Sequence, residues 1–236
     1  MRITAIITGG GTGKRFNDDV PKQFHTLPRR KTNEPIICWT ARQFQECSLV
    51  TDIVMCVPFE YIPQTKRLVR RFKIKKVISV IAGGETRRDS VRNALWSLAQ
   101  NPPDAVLIHD AVRPFVDNEL ITRVIRRLDR FTAVVPVVEP YDTVRRKGKR
   151  LSLGRLEDRN NLLMIQTPQA FKWRAINQIL PKWNQNKTAT DDASIAIEHG
   201  IRVGYVDGAP NNFKITSKED LMLARSFAKM LTSKTK

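Results

Sequence analysis

Residues 2–13, RITAIITGGGTG, decide the fold. Arg2 to Thr8 is a short apolar run with no polar face, the pattern of a strand buried on both sides. Gly9, Gly10, Gly11, Thr12 and Gly13 close it with a loop whose backbone another group can approach closely. The unit then repeats outward. Residues 52–58, 77–82, 105–109 and 132–138 read as strands, and residues 35–46, 61–72, 89–99 and 118–130 as helices. This alternation, with short connections, predicts an α/β fold: an open, mostly parallel sheet with helices on both faces. In such sheets ligands bind beyond the carboxyl ends of the strands.

The regularity breaks after Val138. Residues 139–160 carry Arg145, Arg146, Lys147, Lys149 and Arg150 around Gly148 with little to bury, so they read as an exposed hairpin or arm. An arm needs a surface to dock on, and a second subunit supplies one. The expectation is one domain over residues 1–236, with 139–160 as its dimerisation arm. Beyond it lie an apolar stretch at 162–165, a helix at 172–180, and a helix opening at Thr190 or Asp191 and closing at Gly200. Short strands at 203–206 and 213–215 precede a last helix at 217–231, where Ser217 and Asp220 stand in capping-box spacing.

The chain has 41 Lys and Arg against 23 Asp and Glu, a formal charge of +18, which favours an anionic partner. No run approaches the ~20 apolar residues of a membrane span, and Arg2 before a short apolar segment is not a signal-peptide layout. A cytoplasmic protein is expected. Cys38, Cys47 and Cys56 are nine residues apart, set among apolar neighbours, and read as buried free thiols. With three histidines, His25, His109 and His199, no zinc-protease motif is available.

The glycine loop fails two phosphate-binding templates. The Walker pattern needs a glycine where Thr8 stands and Ser or Thr where Arg15 stands; the dinucleotide pattern meets Lys14 or Phe16 in place of its third glycine. What remains is a glycine turn carrying Lys14 and Arg15, followed by Pro21-Lys22-Gln23. It suits both a polyphosphate clamp and a solvated basic loop. Asp110, leaving the strand at 105–109, is placed to hold Mg²⁺ or to stabilise its own loop; His109 reads as structural. Gly83-Gly84-Glu85 would let a flat base approach the backbone. Lys66, Arg67, Arg70 and Arg71 on one helix, followed by Lys73, Lys75 and Lys76, form a ridge that could meet nucleic acid. No helix-turn-helix, RRM, KH or zinc-finger pattern accompanies it, so a solvated helix face is the preferred reading and a nucleic-acid-binding protein the distant alternative.

The segments GGGTGKRF with PKQF, GGETRRDSVRNAL, IHDAVRPF, DTV, EDRNNLLMIQTPQAF, TDDAS and NNFKIT with KEDL follow one family's order along nearly the whole chain. The sequence resembles the 2-C-methyl-D-erythritol 4-phosphate cytidylyltransferases of the non-mevalonate isoprenoid pathway, which share a Rossmann-like nucleotidyltransferase fold with the ribitol-5-phosphate cytidylyltransferases. The resemblance implies Mg²⁺-dependent transfer of the cytidylyl group of CTP to a sugar-alcohol phosphate, releasing pyrophosphate, in a homodimer. By that likeness Arg15 and Lys22 would hold the CTP phosphates, Lys214 would stabilise charge on the α-phosphate and Asp110 would place Mg²⁺. Thr8, Gly9, Gly10, Gly11, Gly84, Glu85 and Ser90 would line the nucleotide. Asp110, Arg113 and Thr190 would lie near the acceptor, with Thr143 and Arg159 supplied by the partner's arm. Ser90 in its segment and Glu157-Asp158-Arg159-Asn160 favour methylerythritol phosphate over ribitol phosphate as acceptor. Three positions depart from the family pattern: Asn211 stands where Asp is common, Leu163 where an aromatic is, and Glu85 where Asp is.

Overall fold

A computed structural model describes residues 1–10, 16, 18–29, 32–180 and 191–233. β1 (Ile3–Thr8) is buried along its whole length. After a 3-10 turn at Lys22–Phe24, β2 (Thr26–Arg29) and β3 (Thr32–Pro35) pair as an antiparallel hairpin. α1 (Ile36–Glu46), β4 (Asp52–Val57), α2 (Ile62–Arg71), β5 (Val77–Ala82), α3 (Arg87–Leu98), β6 (Ala105–Asp110), α4 (Asn118–Arg127) and β7 (Ala133–Val138) continue the alternation. β8 (Arg145–Lys147) and β9 (Leu153–Leu156) form the exposed hairpin expected in the 139–160 arm. The chain closes with β10 (Met164–Ile165), β11 (Gln169–Lys172), α5 (Trp173–Ile179), α6 (Asp192–Glu198), β12 (Val203–Asp207) and α7 (Lys218–Ser233).

The central sheet runs β7, β11, β6, β1, β4, β5, with β10 and β11 both on β7. β12 pairs with residues 133–137 of β7 while β11 takes 133–134, so the two must lie on opposite sides of β7 and β12 is an edge strand. β10 and β11 run antiparallel to their neighbours; the other pairings are parallel. The mostly parallel α/β expectation holds. Strand alternation sends Ile3, Ala5 and Ile7 to a core shared with α1 and α4, and Ile6 to a core shared with α3, α5 and α6. Each such isoleucine removed from water contributes about 1.5–3 kcal/mol. α7 closes a third cluster, where Leu221, Ala224 and Ala228 meet Leu27, Ile36 and Trp39.

Four readings change. Residues 213–215 form no strand: Ile215 donates one backbone hydrogen bond to Val112 (2.9 Å), which anchors the segment without building a ladder. The residues ahead of α1, assigned no element from the sequence, contain the β2–β3 hairpin, and Gln169–Lys172 is a strand that the approaching helix pattern obscured. α3 starts at Arg87 rather than 89. The Thr86 hydroxyl accepts from the Asp89 amide (3.1 Å) and the Asp89 carboxylate accepts from the Thr86 amide (3.2 Å), a capping box that advances the helix by two residues. The caps read from sequence at Asp191, Gly200 (φ 77°) and Ser217 are present.

Candidate active site

The chain leaves β1 for β4 on one side and returns to β6 on the other, so a crevice opens at the carboxyl ends of β1 and β6. Thr8 and Asp110 are register partners there. Gly9 continues the ladder, donating to Cys56 O (2.8 Å), and Gly83 does the same to Val57 O (2.8 Å). This brings the two glycine loops back to back. A Cβ on Gly83 would stand 2.9 Å from Gly10 Cα and 2.8 Å from Ser90 Oγ, closer than atoms tolerate. The Ser90 hydroxyl fastens the second loop, accepting from Gly84 N (3.0 Å) and donating to Thr86 O (3.1 Å). Gln23 Nε2 donates to Gly9 O (2.6 Å), which holds neighbouring Lys22 beside the first loop.

Asp110, 5% exposed, is the hub of a charge cluster. Arg87 Nε lies 2.8 Å from its Oδ1, and Lys214 Nζ and Arg113 Nε lie 2.9 and 3.4 Å from its Oδ2. Burial alone would push this carboxyl up, but the three cations outweigh burial and hold it well below the carboxylate range. Arg87 also reaches Asp192, with Nη1 2.8 Å from Oδ2. That contact is an ion pair set off the line of a hydrogen bond, leaving Oδ2 without one. Asp192 is 1% exposed, and its burial raises its carboxyl despite the pull of Arg87. The cluster thus gathers three cations around Asp110, one of them shared with Asp192, with Asp191 on the wall of the same crevice.

Asp110 N donates to the Thr167 hydroxyl (3.3 Å), so that hydroxyl has its own proton for His109 Nδ1 (3.0 Å). His109 Nε2 then donates to Arg113 O (3.1 Å), which fixes a neutral imidazole. Burial pushes its pKa down to about 3, and Phe44 packs edge-on at 4.9 Å. The structural reading of His109 holds. Arg113 Nη1 donates to Asn212 O (2.8 Å) and Asn212 Nδ2 to Thr167 O (2.8 Å), tying the loop after β6 to the segment carrying Lys214. Asn211, where the family pattern prefers Asp, is exposed beside this link.

Of the residues singled out in the sequence, Thr8, Gly9, Gly10, Gly84, Ser90, Asp110, Arg113 and Lys214 converge at these strand ends, with Lys22 placed by Gln23. Glu85 is on the same loop and exposed. Thr143 and Arg159 lie on the arm, both exposed, where Arg159 Nη1 donates to Tyr141 O (2.8 Å). Gly11, Arg15 and Thr190 lie outside the described residues. Sequence reasoning missed Arg87 and Asp192. Both sat inside quoted segments, GGETRRDSV and TDDAS, but their pairing joins α3 to α6 and no spacing rule reports it. A cleft of about 360 Å³ opens among Arg87, Asp110, Arg113, Gln169, Asp191 and Lys214.

Such a crevice, glycine loops on one side and a cluster of cations on the other, on a Rossmann-like sheet, defines a nucleotide-handling transferase class. The family model for 2-C-methyl-D-erythritol 4-phosphate cytidylyltransferase matches residues 3–230, and the chain belongs to that family. A protein of that name from Clostridium botulinum (strain Eklund 17B / Type B) is 36% identical over 223 residues, 94% of this chain and 96% of the relative. One from Syntrophus aciditrophicus (strain SB) is 34% identical over 230 residues, 97% of this chain and 96% of the relative. The crystal structure of 2-C-methyl-D-erythritol 4-phosphate cytidylyltransferase from Thermus thermophilus superposes with a TM-score of 0.77 at 28% identity, covering 97% of this chain and all of that one.

Proposed function

We propose that this chain transfers the cytidylyl group of CTP to 2-C-methyl-D-erythritol 4-phosphate, releasing pyrophosphate and giving 4-diphosphocytidyl-2-C-methyl-D-erythritol. The observation that carries this reading is the cation cluster around Asp110, set against two packed glycine loops in a chain of this family. The acceptor's phosphate oxygen is already anionic near neutral pH and attacks the α-phosphorus of CTP; the bond to the β-phosphate oxygen breaks and pyrophosphate leaves. No general base is needed, in keeping with a neutral, buried His109. The protein's task is alignment and charge neutralisation. Lys22 beside the glycine loop, with Arg15, is assigned to the triphosphate, Lys214 to the α-phosphate and Arg113 to the acceptor. Ser90 and the Gly9, Gly10 and Gly84 backbones are assigned to the cytosine side.

Mg²⁺ is the proposed cofactor, and the donor set defines how it would sit. No group of three or more metal-ligating side chains exists among the described residues, and both oxygens of Asp110 face cations. One carboxylate with substrate phosphates and waters fits Mg²⁺, so the ion fits as a companion of CTP held at Asp110. When bound it would supply charge neutralisation on the phosphates. We assign Thr143 and Arg159 to the acceptor site of a partner subunit; the exposed Leu151, Leu153 and Tyr141 of the arm support a docked homodimer. The reading places the enzyme in the cytoplasm with its CTP; no helix among the described residues is long and apolar enough to cross a membrane.

The test is pyrophosphate release from CTP with each acceptor in turn. Turnover with methylerythritol phosphate well above that with ribitol 5-phosphate is expected; the reverse preference overturns the assignment.

A further inference from the structure

A larger cleft, about 780 Å³, lies away from the crevice, between the outer face of α4 and the edge strand β12. One wall presents Arg123, Arg126, Arg127 and Arg130; Tyr205, 57% exposed, stands on the other. Arg123 and Arg127 are an i,i+4 pair of like charge on α4, an arrangement that weakens a helix face unless something anionic lies on it, and Arg130 follows just past the helix end. No ion pair among the described residues relieves any of the four, although Glu119, Asp129 and Asp207 line the same cleft.

The wall is built rather than merely charged. Arg123 donates from Nε and Nη2 to Asp207 O (3.2 and 3.0 Å), clamping α4 to the end of β12. Arg127 lies over the Phe131 ring at 5.2 Å, with Arg202 at 4.9 Å from the same ring, and Arg127 Nε is buried without a hydrogen-bond partner. A Cβ on Gly204 would strike the Phe131 ring at 2.5 Å, so only glycine lets β12 close against this end of α4. Arg126 and Arg130 remain exposed, and no ion pair among the described residues holds either guanidinium.

We infer that the α4–β12 cleft is a second anion site, separate from the catalytic crevice, which takes a phosphorylated small molecule. Guanidinium forks match phosphate oxygens in pairs, and the volume suits a molecule of nucleotide size. The acidic residues along the rim disfavour a long polyanion crossing the cleft. The site depends on no part of the catalytic assignment.

The test is calorimetric titration of the full chain with inorganic pyrophosphate at near-physiological salt without divalent metal. The wild-type chain is expected to show two classes of site. Arg126→Ala/Arg130→Ala weakens one class by about tenfold or more and leaves the other, while Lys214→Ala weakens only the other. Both arginines are exposed, so their removal leaves the core intact. A titration left unchanged by the double variant, whatever the number of classes in the wild type, overturns the inference. So does an equal loss from Arg67→Ala/Arg70→Ala on α2, which would mark general surface charge. Binding of a polyglutamate peptide or single-stranded RNA at the cleft in preference to pyrophosphate would also overturn it.

Discussion

Replacing Arg87 with Met keeps the length of the side chain and removes the charge that Asp110 and Asp192 share. Asp110 retains Lys214 and Arg113; Asp192, 1% exposed, loses its ion pair. Breaking a buried pair costs about 3–5 kcal/mol because a charge is left uncompensated. An alternative caps that cost: Asp192 can take up a proton, at about 1.4 kcal/mol for each pH unit above its ordinary pKa near 3.8. The ceiling is thus about 5 kcal/mol at pH 7.5 and about 1.6 kcal/mol at pH 5. Arg87 itself is 28% exposed, so water replaces part of the pair and the expected loss at pH 7.5 is about 3 kcal/mol. For a chain of this size that lowers the melting temperature by about 6–12 °C. The sign is fixed by linkage. A carboxyl raised by burial costs stability above its unfolded pKa and stops costing once protonated; Asp110, held low, stabilises above about pH 4 and loses that contribution as pH falls through its folded pKa. Between pH 7.5 and 5 only the Asp192 effect narrows the gap between variant and wild type; the Asp110 contribution stays constant there. Melting followed by circular dichroism at the two pH values is the assay. A deficit as large at pH 5 as at pH 7.5 would mean that Arg87 acts through packing, and no deficit at either would refute the buried-pair account.

Lys22→Ala and Lys214→Ala should each lower turnover by about a hundredfold or more, the scale of losing one electrostatic donor to a transition state; steady-state pyrophosphate release near the wild-type rate in both would discard the proposed mechanism. His109, with its pKa pushed down to about 3, should show no change in its ring carbon shifts between pH 5 and 8 by NMR, and a titration near 6.5 would contradict the network through Thr167. Burial pushes the Cys38 and Cys56 thiols up to about 12, and Cys47 is buried as well, so the native chain should resist a thiol reagent that labels all three after unfolding. In Gly84→Ala the new Cβ would lie 2.2 Å from Asp89 Cβ, which should displace the loop and raise KM for CTP more than it lowers kcat; unchanged kinetics would place this loop outside the nucleotide site.

The alternation of apolar runs and amphipathic stretches through residue 138 was enough to read the order of elements, because period-2 and period-3.6 patterns are local. The exposed hairpin was equally legible: Arg145 to Arg150 offer nothing to bury. Other elements were hidden for physical reasons. β11 is four residues long and runs straight into α5, so its pattern merges with the helix; the stretch at 213–215 has a strand's composition but a single backbone bond to β6's following loop. Of the site, the individual cations Lys22, Arg113 and Lys214 and the carboxylate Asp110 were visible through motif order. Arg87 and Asp192 were not, since charge pairing between α3 and α6 exists only after the sheet brings their ends together.

The opening stretch, residues 2–13, shows where the division falls. Its sequence by itself determined a buried strand and a glycine loop, because apolar side chains without a polar face must be covered on both sides and glycine leaves the backbone open. It could not say what the loop is for, having failed the two phosphate templates. Tertiary structure decided what the loop faces, by setting Gly10 against Gly83, Thr8 beside Asp110, and three cations from three separate segments around one carboxylate. Strand and helix come from nearest-neighbour sterics and periodicity, whereas a charge cluster is a meeting of residues up to 127 positions apart, from Arg87 to Lys214, and only packing puts them within 4 Å.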